Sequence, residues 1–98
     1  MDSLLGYRIF LAVADCASFS EAARQMALTP TKVSRAIADL EAGLGFALLE
    51  RTTRRVVLTE LGARFAQRIK PAVASLLSAS SETENVSDIN NFNEVRVA

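Results

Sequence analysis

The chain has no histidine and no tryptophan, and it holds one cysteine among 98 residues. Without histidine it lacks the commonest general base near neutral pH and the commonest zinc ligand. Cys16 has no second cysteine to bridge to, and no cluster of metal-ligating residues surrounds it. It stands beside Ala14 and Ala17 in an apolar-periodic stretch, the setting of a buried, unreactive thiol. Asp, Glu and Ser are present, but no glycine-rich phosphate loop or metal cluster accompanies them. No apolar run approaches the roughly 18 to 20 residues of a membrane span, and the acidic Met1-Asp2 start is unlike a secretory signal. These absences predict a chain without enzymatic activity, metal or other cofactor, with no membrane contact and a cytoplasmic location.

What is present is an apolar half, enough for the core of one small domain. Net charge is zero, yet the charges are segregated. Residues 1–70 carry ten Lys/Arg against seven Asp/Glu, and residues 71–98 carry one against four. Between 51 and 70, Arg51, Arg54, Arg55, Arg64, Arg68 and Lys70 face Glu60 alone. A local basic stripe, rather than the average, is what meets a phosphate backbone.

Periodicity predicts a first helix over residues 3–15, with Leu4, Tyr7, Phe10, Leu11 and Ala14 as its inner stripe and Asp2 or Ser3 as its cap. Ser18 and Glu21 have capping-box spacing and open a short second helix over 19–26, with Ala22, Ala23 and Met26 turned inward. Ala27 and Leu28 form a brief turn. Thr29 then caps a third helix whose first position is Pro30, where a missing N–H costs nothing. Val33, Ile37, Leu40 and Leu44 make its buried stripe, and Gly43 and Gly45 end it. Thr31, Arg35, Ala38 and Ala42 fall on the opposite side, flanked by Lys32 and Ser34. Short side chains with a few cations make a face that fits deep into a groove. An ordinary solvated face is the plainer alternative, though such faces usually carry more Glu and Lys.

Residues 46–51 and 55–58 read as a two-stranded hairpin around Thr52-Thr53-Arg54. Its tip gathers Arg51, Arg54 and Arg55, either to bind an anion or to guard a strand edge from aggregation. Thr59 caps a fourth helix that extends to Ser78 or Ser80, about 20 residues or ~30 Å. Pro71 lies within it and is expected to kink it, at ~3 kcal/mol. Leu61 and Phe65 are expected under the chain's own core. Ile69, Val73, Leu76 and Leu77 are expected beyond it, awaiting a second copy. Polar residues 81–98 read as linker or tail.

Helix, capped short helix, turn, third helix, hairpin and long helix form the order of a winged helix-turn-helix. The predicted fold class is therefore mainly α: three helices and a two-stranded β wing, followed by a long linker or dimerisation helix. The corresponding divisions are 1–58, 59–80 and 81–98.

Five blocks, in order and spacing, resemble the LysR-type transcriptional regulator family. They are Ala17-Ser18-Phe19-Ser20-Glu21-Ala22-Ala23; Thr29-Pro30-Thr31-Lys32-Val33-Ser34-Arg35-Ala36-Ile37; Leu40-Glu41 with Leu44-Gly45; Leu48-Leu49-Glu50-Arg51-Thr52-Thr53-Arg54-Arg55; and Leu58-Thr59-Glu60-Leu61-Gly62. The resemblance implies double-stranded DNA as partner, with the third helix in the major groove and the wing at the adjacent minor groove. It implies a homodimer through the fourth helix on a roughly palindromic site. Ser18, Ser20, Thr29, Pro30, Thr31, Lys32, Ser34, Arg35, Arg51, Arg54 and Arg55 become candidate DNA contacts, and Ile69, Val73, Leu76 and Leu77 candidate dimer contacts. A small-molecule inducer would act only through a sensor domain missing from this chain, whose opening strand Glu94-Val95-Arg96-Val97-Ala98 resembles.

Three departures stand out. Ala17 occupies a place where the family often has glycine, and a left-handed alanine costs ~1 kcal/mol. Leu49 replaces a common wing phenylalanine. Thr29-Pro30-Thr31 replaces a common serine-glutamine-proline, so a base preference does not carry over. A winged helix that binds protein is the main rival reading, since fold does not fix function. The arginines and the small-residue face count against it.

Overall fold

Capping residues set most of the element boundaries. In the computed structural model, which describes residues 3–51 and 55–87, with side chains to residue 79, α1 is Ser3–Cys16, α2 Phe19–Met26, α3 Pro30–Leu44 and α4 Glu60–Ser87. Strands β1 (Leu49–Arg51) and β2 (Val56–Leu58) pair antiparallel between α3 and α4, Leu49 opposite Leu58 and Arg51 opposite Val56. The strands are shorter than the predicted 46–51 and 55–58. Ser18 Oγ accepts the Glu21 N–H at 3.1 Å, and Thr29 Oγ1 accepts the Lys32 N–H at 3.1 Å, so both predicted caps are in place. The Glu21 carboxylate, expected to reach back to the cap, pairs instead with Arg24. That hydrogen bond is the main reason its carboxyl sits below the ordinary range.

Ala17 and Ala27 end α1 and α2 in the left-handed region, at φ 55° and 58°. The Ala17 N–H donates to Val13 O at 2.8 Å, and Leu28 N–H closes α2 on Ala23 O at 2.8 Å. The ends are thus satisfied, at the conformational cost anticipated for alanine. Gly45, with φ 86°, caps α3, whereas Gly43 stays inside the helix rather than ending it.

The core joins Ile9, Phe10 and Val13 of α1, Ala22 and Ala23 of α2, Val33, Ala36 and Ile37 of α3, and Leu48 and Leu49. In α1 the buried stripe is thus turned from the predicted one: Leu4, Tyr7, Leu11 and Ala14 are only half-buried. In α3, Val33 and Ile37 are buried as predicted, while Leu40 and Leu44 lie at the core's margin. Phe65 of α4 closes one side, its ring centroid 5.8 Å from those of Tyr7 and Phe10.

Helix α4 departs most from expectation. It contains Pro71 without stopping and runs to Ser87, 28 residues or about 42 Å, well past the anticipated end near 80. Leu61, expected to be covered, is 48% exposed. Val73, expected to lie beyond the body, is 5% exposed within its own chain, and Ile69 packs against the core. Helix α1 lies alongside α4. The tip residues Thr52-Thr53-Arg54 and the strand-like 94–98 lie outside the described residues.

Candidate nucleic-acid interface

The turn at Ala27-Leu28 sets α2 and α3 against each other and leaves the outer side of α3 uncovered. Thr31, Arg35, Ala38 and Ala42 are exposed there, as the spacing predicted, together with the flanking Lys32 and with Pro30. Phe19, Pro30, Thr31, Ser34, Arg35 and Ala38 line a shallow groove, and Thr29, Thr31, Lys32 and Arg35 a second depression beside the start of α3. Short side chains and the Arg35 cation share the groove lining. No carboxylate is among the groove-lining residues described.

The eleven candidates do not all stand alike. Ser20 and Thr29 are exposed, the latter with its oxygen engaged as the α3 cap. Ser18 is half-buried and occupied in capping α2, which ties its oxygen to the fold. Ser34 is half-buried and accepts a hydrogen bond from Arg51 Nη2 at 3.2 Å, so it is turned toward the wing root rather than straight outward. Arg51 is therefore not a tip residue: its guanidinium lies over the Phe19 ring, 4.4 Å from the centroid. Arg55 is exposed and engaged in a further interaction, and Arg54 lies outside the described residues.

Sequence reasoning missed two contributors. Phe19 forms part of the groove wall, although its only visible signal was its place inside the capping motif. Glu41 Oε2 accepts the N–H groups of Leu48 and Leu49, at 2.8 and 3.3 Å, and so fastens the approach to the wing onto α3. Nothing in the spacing announced that bond, which joins residues seven and eight apart across a turn. Among the described residues, no group of acidic, cysteine or histidine side chains could hold a metal, and no helix is long and apolar enough to cross a membrane.

Three packed helices, a two-stranded wing after the third, and an exposed small-and-cationic face on that helix define a winged helix-turn-helix of the DNA-binding class. The chain belongs to the LysR family of bacterial regulatory helix-turn-helix proteins, whose family profile matches residues 4–63. Members of this family are transcriptional regulators rather than enzymes. The HTH-type transcriptional regulator YhjC of Escherichia coli is 46% identical over 76 residues, which cover 78% of this chain and 25% of YhjC. Two solved DNA complexes share the fold. The BenM DNA-binding domain on catB site 1 DNA superposes with a TM-score of 0.80 at 33% identity, covering 89% of this chain and 96% of that one. The CbnR DNA-binding domain–DNA complex gives 0.76 at 27% identity, covering 90% and 99%. The chain spans about a quarter of the length of the curated relatives it matches.

Proposed function

We propose that this chain is the sequence-specific double-stranded DNA reader of a transcriptional regulator, with α3 in the major groove and the wing at the adjacent minor groove. The observation that carries the reading is the outer face of α3. There Pro30, Thr31, Lys32, Arg35 and Ala38 are all exposed, beside the arginine that joins the wing root to the same surface. Short side chains admit base edges, and cations at the margin suit phosphates. The BenM and CbnR domains, which share the fold, are DNA complexes, and this supports a DNA-binding role for the chain. Selecting bound sequences from a random DNA pool tests the proposal, since recovery of no enriched site would sink it. On the selected site Arg35→Ala is expected to cost ~1–3 kcal/mol, and less on random DNA, as a base-edge contact requires. Equal losses on both would make Arg35 a phosphate contact.

The chain is also proposed to act as a homodimer through α4. Ile69 and Val73 are spent within the single chain, which leaves Leu76 and Leu77, 56% and 39% exposed, as the apolar pair for a second copy. A two-fold pair uses one patch twice and places two reading helices about one DNA turn apart, ~34 Å or a multiple, on a roughly palindromic site. Sedimentation equilibrium should show dimer mass for the wild type and monomer for Leu76→Asp combined with Leu77→Asp. A wild-type chain still monomeric at about 100 µM would leave association weaker than any useful dimer. Inducer response and regulation of particular genes are properties of whole regulators, of whose length this chain spans about a quarter.

A further inference from the structure

Arg51 closes β1, where side chains alternate between two faces of a narrow ribbon and a guanidinium ordinarily extends into water. Here it turns back across the body. It stacks on Phe19 of α2 at 4.4 Å from the ring centroid, and its Nη2 donates to Ser34 Oγ of α3 at 3.2 Å. One side chain thereby joins the wing root to both helices of the helix-turn-helix. The fork is not used up by this. A guanidinium has five N–H donors, of which the hydrogen bond to Ser34 takes one, and Arg51 as a residue remains exposed. The Ser34 hydroxyl, having accepted from Arg51, still has its own O–H to donate.

A flexible arginine loses rotamer freedom when it grips an anion, and that loss is subtracted from affinity. An arginine already held by a ring and a hydroxyl loses less. Guanidinium N–H groups beside a hydroxyl also match the oxygens of a phosphodiester, with charge assistance. We propose that Arg51 and Ser34 form a preorganised clamp for one phosphodiester of the DNA backbone, with Phe19 as the positioning residue that holds the clamp at the junction of wing and reading helix. The clamp rests on the DNA-binding reading above. Its consequence is register: gripping one phosphate beside the groove of Phe19, Pro30, Thr31, Ser34, Arg35 and Ala38 fixes how far α3 slides along DNA.

Fluorescence anisotropy of the full chain on a labelled mixed-sequence duplex, titrated with salt, tests the clamp. Arg51→Ala is expected to weaken binding and to reduce the log–log salt slope by about 0.9, as expected when one phosphate is no longer neutralised. Phe19→Leu keeps apolar bulk against the core and keeps the charge. It should preserve the slope yet lose about two- to five-fold in affinity, as removal of an exposed cation–ring interaction requires. Phe19→Tyr keeps the ring under the guanidinium and should recover most of the affinity that Phe19→Leu loses. In an Arg51→Ala background, Phe19→Leu should cost clearly less than it does in the wild-type chain. Arg51→Lys, which keeps the charge without the planar fork, should retain the slope with reduced affinity, and it serves if Arg51→Ala proves unstable. An unmoved slope in Arg51→Ala, or an equal Phe19→Leu loss with and without Arg51, overturns the clamp while leaving DNA binding intact. A wild-type chain that binds no duplex at low salt overturns the DNA-binding reading itself.

Discussion

Ile37→Ala should lower the unfolding free energy by ~2–5 kcal/mol through lost burial and an unfilled cavity. Ile37 is 2% exposed and belongs to the cluster that joins α1, α2, α3 and Leu48. Removing its outer carbons opens a cavity inside that cluster, in a region too densely packed to collapse freely. Against a total stability of ~5–15 kcal/mol for a domain of this kind, the loss is a large fraction. Each kcal/mol moves the melting temperature of a domain this small by about 4–8 °C, so thermal unfolding followed by circular dichroism resolves it. Ile37→Val, which removes one carbon, should cost only ~0.5–1.5 kcal/mol. A melting temperature for Ile37→Ala within a degree or two of wild type would mean that α3 does not turn this face inward. The exposed side of that helix would then no longer carry the proposed DNA-binding role.

How the sequence foretold this fold varies by element, for physical reasons. Where local chemistry decides, the residues are legible: Ser18, Thr29 with Pro30, Gly45 and Thr59 begin or end helices because each satisfies specific backbone groups. The outer face of α3 was legible for the same reason, since its polar and apolar sides are cleanly separated. Helix α1 was harder. It is apolar nearly all round, and it touches α2, α3 and α4, so several stripes fit and periodicity alone could not choose the deepest. Helix α4 failed differently. Polar residues after 80 look like a tail, yet a helix anchored by packing propagates into residues of modest propensity at small cost. The burial of Val73 within its own chain was not legible either, and the contact of α1 with α4, segments some sixty residues apart, leaves no local signature.

The candidate site shows the same division. Which residues of α3 are exposed follows from helical angle. That Arg51 reaches Phe19 and Ser34 does not, because the strand must first be brought over the helices by the turn after α3 and by the Glu41 bond to Leu48 and Leu49. The wing and α3 are thereby one assembly. Glu41 ties the wing's base to α3 from one side and Arg51 ties it from the other, so α3 and β1 present their cations with a fixed spacing. DNA recognition benefits from such rigidity, since groups held in place before they meet the duplex lose little freedom on binding.

Gly62→Ala should destabilise the chain by ~3 kcal/mol or more, at the upper end of what overpacking costs. The ordinary expectation is the reverse: glycine inside a helix is ~1 kcal/mol worse than alanine, so the exchange normally stabilises. At Gly62 an added Cβ would lie 2.1 Å from the Leu48 carbonyl oxygen and 2.9 Å from its carbon. The obstacle is backbone, so no rotamer change relieves it. That same carbonyl accepts the Thr59 N–H at 3.0 Å, while Thr59 Oγ1 donates to Ala47 O at 2.7 Å and accepts the Gly62 N–H at 2.9 Å. Pushing Leu48 away therefore strains the cap of α4 and the segment entering β1 together, and with them the seat of the wing. Gly43 supplies the control. It is helical and exposed, and an added Cβ meets nothing within 4 Å. Gly43→Ala should thus gain up to ~1 kcal/mol from backbone entropy and helix propensity. Urea unfolding of the two variants compares the same chemical change in two environments, and their midpoints should move in opposite directions. If both move upward, the close approach of α4 to Leu48 is absent, and the wing is not anchored as described.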